Sequence, residues 1–389
     1  MTARQVTQPS FRTSELDRFS AYRATEGTEA TEATQGTEAT LGTEATQGTE
    51  ATEATEPGRA EDILDLSNNE LMLPPLPAVV DSLRRSSLQV NLYPDPTARV
   101  LKTTLARHFG AETEETVVGP GSGGVLQQLL LVLAGRGDEV LHAWPGFDAY
   151  PLLIAVTGAK GVPVPLTTTG EHDLAGLLER VNPRTRAVIL CSPHNPTGRR
   201  IPTGDLLGFL DSLPSHVVAI LDQAYMEFDE EEDPHDLGLI REYPNVVLLR
   251  TFSKAYGLAG LRVGYAFASS EIAVRARKTV IPFSVTRSGE RAAVISLAQG
   301  SDLAERLATV RRMRADLRSD LGAQGLVPLP SSANFVWLPL GPDSDRFAAA
   351  ALRAGVRVRS YSGDGVRISV GTEEAHRRVL IAAKDFLSV

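Results

Sequence analysis

Hydrophobic and polar positions divide the chain into three textures. Between residues 25 and 56 almost no large apolar side chain occurs, and Gln35-Gly36-Thr37-Glu38-Ala39-Thr40 recurs with a period of six at 41–46 and 47–52. From Asp62 onward, short apolar runs alternate with stretches whose apolar residues repeat every three to four positions. The short runs predict strands over 139–142, 161–165, 187–190, 217–221, 246–249 and 264–268. The three-to-four spacing predicts helices over 77–85, 99–109, 124–133 and 205–213. Residues 63–66 open this part, Pro74-Pro75-Leu76-Pro77 breaks it, and Tyr93-Pro94-Asp95-Pro96 forms a loop. Such alternation implies an α/β fold, with a mostly parallel sheet covered by helices on both faces. After about Ser288 the texture changes. Helices predicted over 289–298 and 302–321 precede short strands at 334–338, 357–359 and 366–370 and a last helix at 374–386. This reads as a smaller α+β C-terminal domain. The expected division is an acidic low-complexity tail (1–60), an N-terminal arm with a small-domain helix (61–110), a large domain (111–286) and a small C-terminal domain (287–389).

Composition narrows the function classes. A chain of 389 residues suits two domains, and 42% apolar content is ordinary for a globular protein. Net charge is -9, but residues 25–56 hold eight Glu and no Lys or Arg, which leaves the rest near -1. No basic field remains for nucleic acid or an anionic membrane. The repeat has too little apolar surface to offset its ordering entropy, so a disordered tail is expected, with Phe11, Phe19 and Tyr22 ahead of it as the only anchors. Cys191 is the single cysteine, which excludes an intrachain disulfide and fits a reducing compartment. No apolar run approaches the roughly 20 residues of a membrane span, and Met1-Thr2-Ala3-Arg4-Gln5 does not begin a signal peptide. A cytoplasmic protein is expected. The seven His show no metal-ligand spacing, so no metal is expected, and Asp229-Glu230-Glu231-Glu232-Asp233 reads as a solvated loop.

Candidate chemistry gathers at the ends of the predicted strands, where open α/β sheets bind ligands. Strand 246–249 leads to Thr251-Phe252-Ser253-Lys254, with Arg262 eight residues on. Strand 217–221 leads to Asp222-Gln223-Ala224-Tyr225, strand 187–190 to Asn195 within 191–198, and strand 139–142 to Phe147. A lysine flanked by small hydroxyls and followed by an arginine suits a Schiff base with an aldehyde cofactor that also carries a phosphate. Pyridoxal phosphate has both groups. It acts as an electron sink, which calls for a carboxylate beside its ring nitrogen, and Asp222 is the candidate. Tyr225 and Asn195 suit the ring's phenolic oxygen, and Phe147 suits its face. Gly121, Ser122 and Gly123, ahead of a helical pattern, offer backbone donors for the phosphate, completed by Thr251, Ser253 and Arg262. Arg367 suits a bidentate grip on a substrate carboxylate. Cys191 reads as a buried strand-end residue.

From residue 62 to the C-terminus the sequence resembles the class I/II, fold-type I aminotransferases of the histidinol-phosphate branch. Within that branch it is most similar to the actinobacterial aromatic amino acid (phenylalanine) aminotransferases. The resemblance rests on residues 250–264, Asn69-Glu70 with Pro74-Pro75-Leu76-Pro77, Tyr93-Pro94-Asp95-Pro96, Phe147-Asp148-Ala149-Tyr150-Pro151, Asn195-Pro196-Thr197-Gly198, Ile281-Pro282-Phe283 and residues 333–339. It implies a homodimer in which Tyr93 reaches the partner's cofactor phosphate, with Asn69 in the arm over the substrate. It also implies that Lys254 holds pyridoxal phosphate and moves a proton while an amino group passes between an L-amino acid and a 2-oxo acid such as 2-oxoglutarate. Four stretches depart from the pattern: Leu71-Met72 in the arm, Gln223 after Asp222, Gly123-Gly124 in the glycine loop, and Thr286-Arg287-Ser288-Gly289-Glu290-Arg291. The catalytic set is unaltered and the substrate walls are changed. Histidinol phosphate as donor and a decarboxylase or oxidase on the same scaffold stay open as readings; a cofactor-sensing regulator would need a DNA-binding domain, and the acidic tail and absent helix-turn-helix argue against it.

Overall fold

The computed structural model describes residues 63–231 and 237–388; the expectations for the tail and for Glu232-Asp233 lie outside them. In chain order the elements are β1 (Leu64–Asp65), α1 (Pro77–Ser86), α2 (Arg99–Phe109), β2 (Thr116–Gly119), α3 (Gly121–Leu133), β3 (Glu139–Trp144), α4 (Ala149–Val156), β4 (Lys160–Pro165), α5 (Leu174–Arg180), β5 (Thr185–Cys191), α6 (Thr203–Ser212) and β6 (Val218–Asp222). Then follow α7 (Gly238–Glu242), β7 (Val246–Thr251), β8 (Gly264–Ala268), α8 (Ser270–Arg277), α9 (Arg287–Leu297), α10 (Gly300–Ala323), β9 (Phe335–Leu338), α11 (Ser344–Arg353), β10 (Val356–Arg357), β11 (Arg359–Tyr361), β12 (Gly365–Ser369) and α12 (Glu373–Leu387).

The large sheet has the order β2-β8-β7-β6-β5-β3-β4. Its pairs from β7 to β4 are parallel, and β8 runs antiparallel to both neighbours. Alternate residues of each central strand enter opposite cores, as the two-residue period of a strand requires. Leu141, Val188, Leu190, Ala219 and Leu221 face one core, built with Leu101, Leu105, Phe209 and Ala292. Val140, Ala187, Ile189, Val218 and Ile220 face the other, built with Val125, Leu129, Leu130 and Ile272. Helices therefore cover both faces, which explains why these strands read as continuous apolar runs.

A second unit is built on the antiparallel order β11-β12-β9 and has its own core of Leu317, Leu321, Val336, Phe347, Ile368, Val379 and Phe386. The entering chain joins it: β1 pairs in parallel with β10, and Leu66 lies in that core. Leu76 and Val79 of the next segment, and Leu101 and Leu105 of α2, lie instead in a core of the large sheet. The single strand expected at 357–359 is two strands, because Val356–Arg357 pairs with β1 whereas Arg359–Tyr361 pairs with β12. Side-chain caps mark several helix starts: Asp173 accepts from Gly176 N at 2.8 Å, Thr286 from Gly289 N at 3.0 Å and Thr372 from Ala375 N at 3.2 Å.

β8 begins against the N-terminus of α3. A Cβ at Gly264 would lie 2.2 Å from both the carbonyl carbon of Gly121 and the amide nitrogen of Ser122. Both are backbone atoms, so neither yields cheaply. Gly264→Ala is expected to destabilise the fold by about 3 kcal/mol, the upper range for overpacking. Urea unfolding of the wild type and variant measures this; equal midpoints would show that α3 shifts without cost.

Candidate active site

Parallel strands present their carboxyl ends on one edge, so the residues that follow β3, β5, β6 and β7 converge. They line one cavity of about 420 Å³. Asp222, Tyr225, Thr251, Ser253, Lys254, Asn195 and Phe147 all reach it from the large sheet. Ser122, Gly123 and Arg262 line one part of its wall, and Arg367 and Asn69 enter from β12 and the N-terminal arm. Of the residues singled out from sequence, Gly121 and Tyr93 are not in its walls. Gly121 is buried directly behind Arg262, whose Nη2 lies 2.5 Å from where a Cβ would stand. Tyr93 is 79% exposed and packs on Phe283 with ring centroids 5.0 Å apart.

Hydrogen bonds fix most of these groups. Asp222 accepts from the Tyr150 hydroxyl on Oδ2 at 2.6 Å and from Ala224 N on Oδ1 at 3.2 Å. Lys254 Nζ donates to the carbonyls of Asn68 (3.1 Å) and Asn69 (3.0 Å) and stands 5.7 Å from the centre of the Tyr225 ring. Asn69 has φ 55, in the left-handed region that Asn tolerates better than most residues. That turn lets its side-chain amide donate to the Tyr225 hydroxyl at 3.0 Å while its carbonyl also receives Asn334 Nδ2 at 3.1 Å. Arg367 donates to Asn195 Oδ1 and the Ser67 carbonyl, and its Nε has no partner among the described residues. With its oxygen turned to Arg367, Asn195 is left with an amide N–H donor for anything else in the cavity.

Burial sets the electrostatics. It pushes the Asp222 carboxyl above the usual range, opposed by the Tyr150 hydroxyl, the Ala224 amide and the charge of Lys254. Burial, with the charge of Arg367, lowers Lys254 to about 8 from the ordinary 10.5. At pH 7 such an amine is roughly one-tenth neutral, against less than one part in a thousand for an exposed lysine. Burial raises the Tyr225 phenol, which keeps it protonated as a donor.

The donor set fits a phosphate-bearing aldehyde. Arg262 also adopts the left-handed region (φ 53), and its guanidinium occupies the space left by the missing side chain of Gly121, beside the start of α3. Ser122, Gly123, Thr251, Ser253 and Arg262 would hold the phosphate at that helix N-terminus. Lys254 would meet the aldehyde and Asp222 the ring nitrogen. Among the described residues no group of three or more His, Cys, Asp or Glu could hold a metal ion, and no helix is long and apolar enough to cross a membrane.

Sequence reasoning passed over some of the walls. Tyr150, Glu70, Asp148 and Arg359 line the same cavity, with Arg359 and Asp148 paired at 2.7 Å. Tyr150 carried a signal, since it lies three residues after Phe147 at helical spacing. Arg359 carried none, because its approach to Asp148 depends on the packing of the two sheets. The departing stretch after Phe283 has structural work: Thr286 caps α9, Glu290 accepts from Leu101 N at 3.1 Å, and Arg287 Nη2 holds the Tyr93 carbonyl at 2.7 Å.

Known proteins resemble this chain in sequence and fold. Residues 61–383 match the family model for aminotransferase class I and II. The chain is 41% identical over 323 residues to an aromatic amino acid aminotransferase of Cutibacterium acnes, covering 83% of this chain and 92% of that one. It is 45% identical over 312 residues to one from Streptomyces avermitilis, covering 80% and 87%. The structure of histidinol-phosphate aminotransferase from Sinorhizobium meliloti in complex with pyridoxal-5'-phosphate superposes with a TM-score of 0.78 at 29% identity, covering 84% of this chain and 91% of that one. With four strand ends converging on Lys254 and a family match over most of its length, the chain belongs to the class I and II aminotransferases.

Proposed function

We propose that the protein transfers an amino group between an aromatic L-amino acid and a 2-oxo acid such as 2-oxoglutarate, with pyridoxal phosphate as cofactor. The observation that carries this reading is a lysine lowered to about 8 in one cavity with a buried carboxylate and a buried arginine. Relatives named for aromatic amino acids, at 41% and 45% identity, support the substrate class. When bound, pyridoxal phosphate supplies an aldehyde that condenses with amines and a ring that accepts electron density from the substrate α-carbon.

The chain's own residues do the rest. Lys254 Nζ provides the amine that anchors the cofactor and, once released, takes and returns a proton; its lowered pKa makes it a base near neutral pH. Asp222 would set a negative charge against the ring nitrogen. The Tyr225 hydroxyl and the Asn195 amide would donate to the phenolic oxygen. Arg367 grips the substrate carboxylate with its guanidinium. Asn69, on the arm, closes the substrate side and orients Tyr225.

A homodimer completes this reading, with Tyr93 reaching the partner's cofactor phosphate. The exposed apolar residues Leu88, Val90, Leu92, Tyr93 and Ile281 support such an interface. The domain division at 110/111 and 286/287 is part of the proposal; the separate core of Leu317, Val336, Phe347 and Ile368 supports a second C-terminal unit, although Leu101, Leu105 and Ala292 lie in a core of the large sheet. So is a cytoplasmic location, supported by the single cysteine.

Assaying phenylalanine, tyrosine and histidinol phosphate as donors to 2-oxoglutarate tests the substrate class; turnover confined to histidinol phosphate would overturn it. Lys254→Ala is expected to lose the visible absorbance of lysine-bound cofactor and all steady-state turnover, and an unchanged spectrum with normal rates would refute its role. Arg367→Leu is expected to raise KM for amino and oxo substrates alike by about thirtyfold, or roughly 2 kcal/mol. The same variant removes a positive charge that depresses Lys254, so the amine should titrate higher, toward 10.5. The pH dependence of cofactor capture by the apoprotein reads this shift. A midpoint that stays or falls would show that Arg367 does not govern the lysine.

A further inference from the structure

We infer that Tyr150 is a positioning residue: its hydroxyl fixes the Asp222 carboxylate and holds it ionised where it must face the cofactor ring. The inference rests on the proposed role of Asp222.

Tyr150 stands in the first turn of α4, 72 residues from Asp222 in the chain, and is 2% exposed. Its O–H···O distance of 2.6 Å lies in the range of charge-assisted hydrogen bonds. A buried carboxylate with too few donors would take up a proton and become useless as a counter-charge. Four side chains from separate segments bear on Asp222: Tyr150 from α4, Cys191 at the end of β5, Lys254 after β7, and Tyr225 three residues on in its own loop. Among the described residues only Tyr150 gives it a side-chain hydrogen bond, and this opposes the effect of burial more strongly than the Ala224 amide or Lys254 does.

The donor cannot switch off within the working range of pH. Burial and the Asp222 charge both push the Tyr150 phenol well above its ordinary value, so it stays protonated. Its ring is held separately. Phe147 meets it edge-on at 90° with centroids 5.4 Å apart, and the Tyr150 amide donates to the Phe147 carbonyl at 3.0 Å. One residue thus ties the proposed stacking ring to the proposed ring-nitrogen partner. Tyr150→Phe removes the hydroxyl and leaves the ring contacts in place.

The test compares Tyr150→Phe, Asp222→Asn and the double variant. Pyridoxal phosphate is titrated into each apoprotein by absorbance, and the pH profile of kcat/KM is recorded for each loaded enzyme. We expect Tyr150→Phe to weaken cofactor binding about tenfold, as loss of a hydrogen bond to a charged group does. We also expect the acid limb of its pH profile to move to higher pH, because a carboxylate that loses a donor protonates more readily. In the Asp222→Asn background the same change should cost no further cofactor affinity. Three results overturn the inference. In the first, Tyr150→Phe matches wild type in affinity and acid limb while Asp222→Asn does not. In the second, the loss is the same in both backgrounds, which marks a packing role. In the third, Asp222→Asn binds cofactor like wild type, which removes the proposed role of Asp222 together with this one.

Discussion

Asp222, Lys254 and Arg367 carry charge into one crevice, and withdrawing each from water costs several kcal/mol unless partners replace the solvent. The surrounding structure supplies those partners. Tyr150 and an amide N–H serve the carboxylate, two arm carbonyls serve the lysine, and Asn195 with the Ser67 carbonyl serves the arginine. The same desolvation that makes the charges costly lowers the pKa of Lys254, because an ammonium that is poorly hydrated releases its proton more easily.

Those partners come from distant parts of the chain, which joins the site to the fold. Ser67, Asn68 and Asn69 lie in the segment between β1 and α1, next to strand pairing with β10. Arg367 sits in the middle of β12, paired with Trp337 of β9 on one side and Arg359 of β11 on the other. A relative shift of the two sheets would therefore separate Arg367 from Asn195 and uncover Lys254 together. Two residues in the left-handed region, Asn69 and Arg262, border the cavity. Such conformations cost on the order of 1 kcal/mol and persist where surrounding contacts determine them. Here the arm hydrogen bonds hold the first, and the close approach of Arg262 to Gly121 holds the second.

The sequence by itself determined most of the local elements and which residues stand at the ends of the strands. The parallel sheet was legible because strands buried on both faces must be apolar throughout, as residues 187–190 and 246–249 are. Lys254, Asp222 and Asn195 were legible because each follows such a strand, Phe147 because it follows the strand expected at 139–142, and parallel strands can only end on one edge. What the tertiary structure decided was everything that depends on distant pairing. The split of residues 356–361 between two sheets follows from partners at 64–65 and 365–367, far off in the chain. β2 is four residues long and is defined by antiparallel pairing with β8, which no local pattern announces. α3 begins at Gly121, three residues ahead of the expected start, where that glycine, of low helix propensity, lies against Gly264. Arg359 entered the site in the same way, and Tyr150, though spaced at a helical interval from Phe147, met Asp222 only through that packing. A phenol is drawn to a buried carboxylate, and an arginine to an aspartate across the crevice, only once packing has brought four strands and a second sheet together.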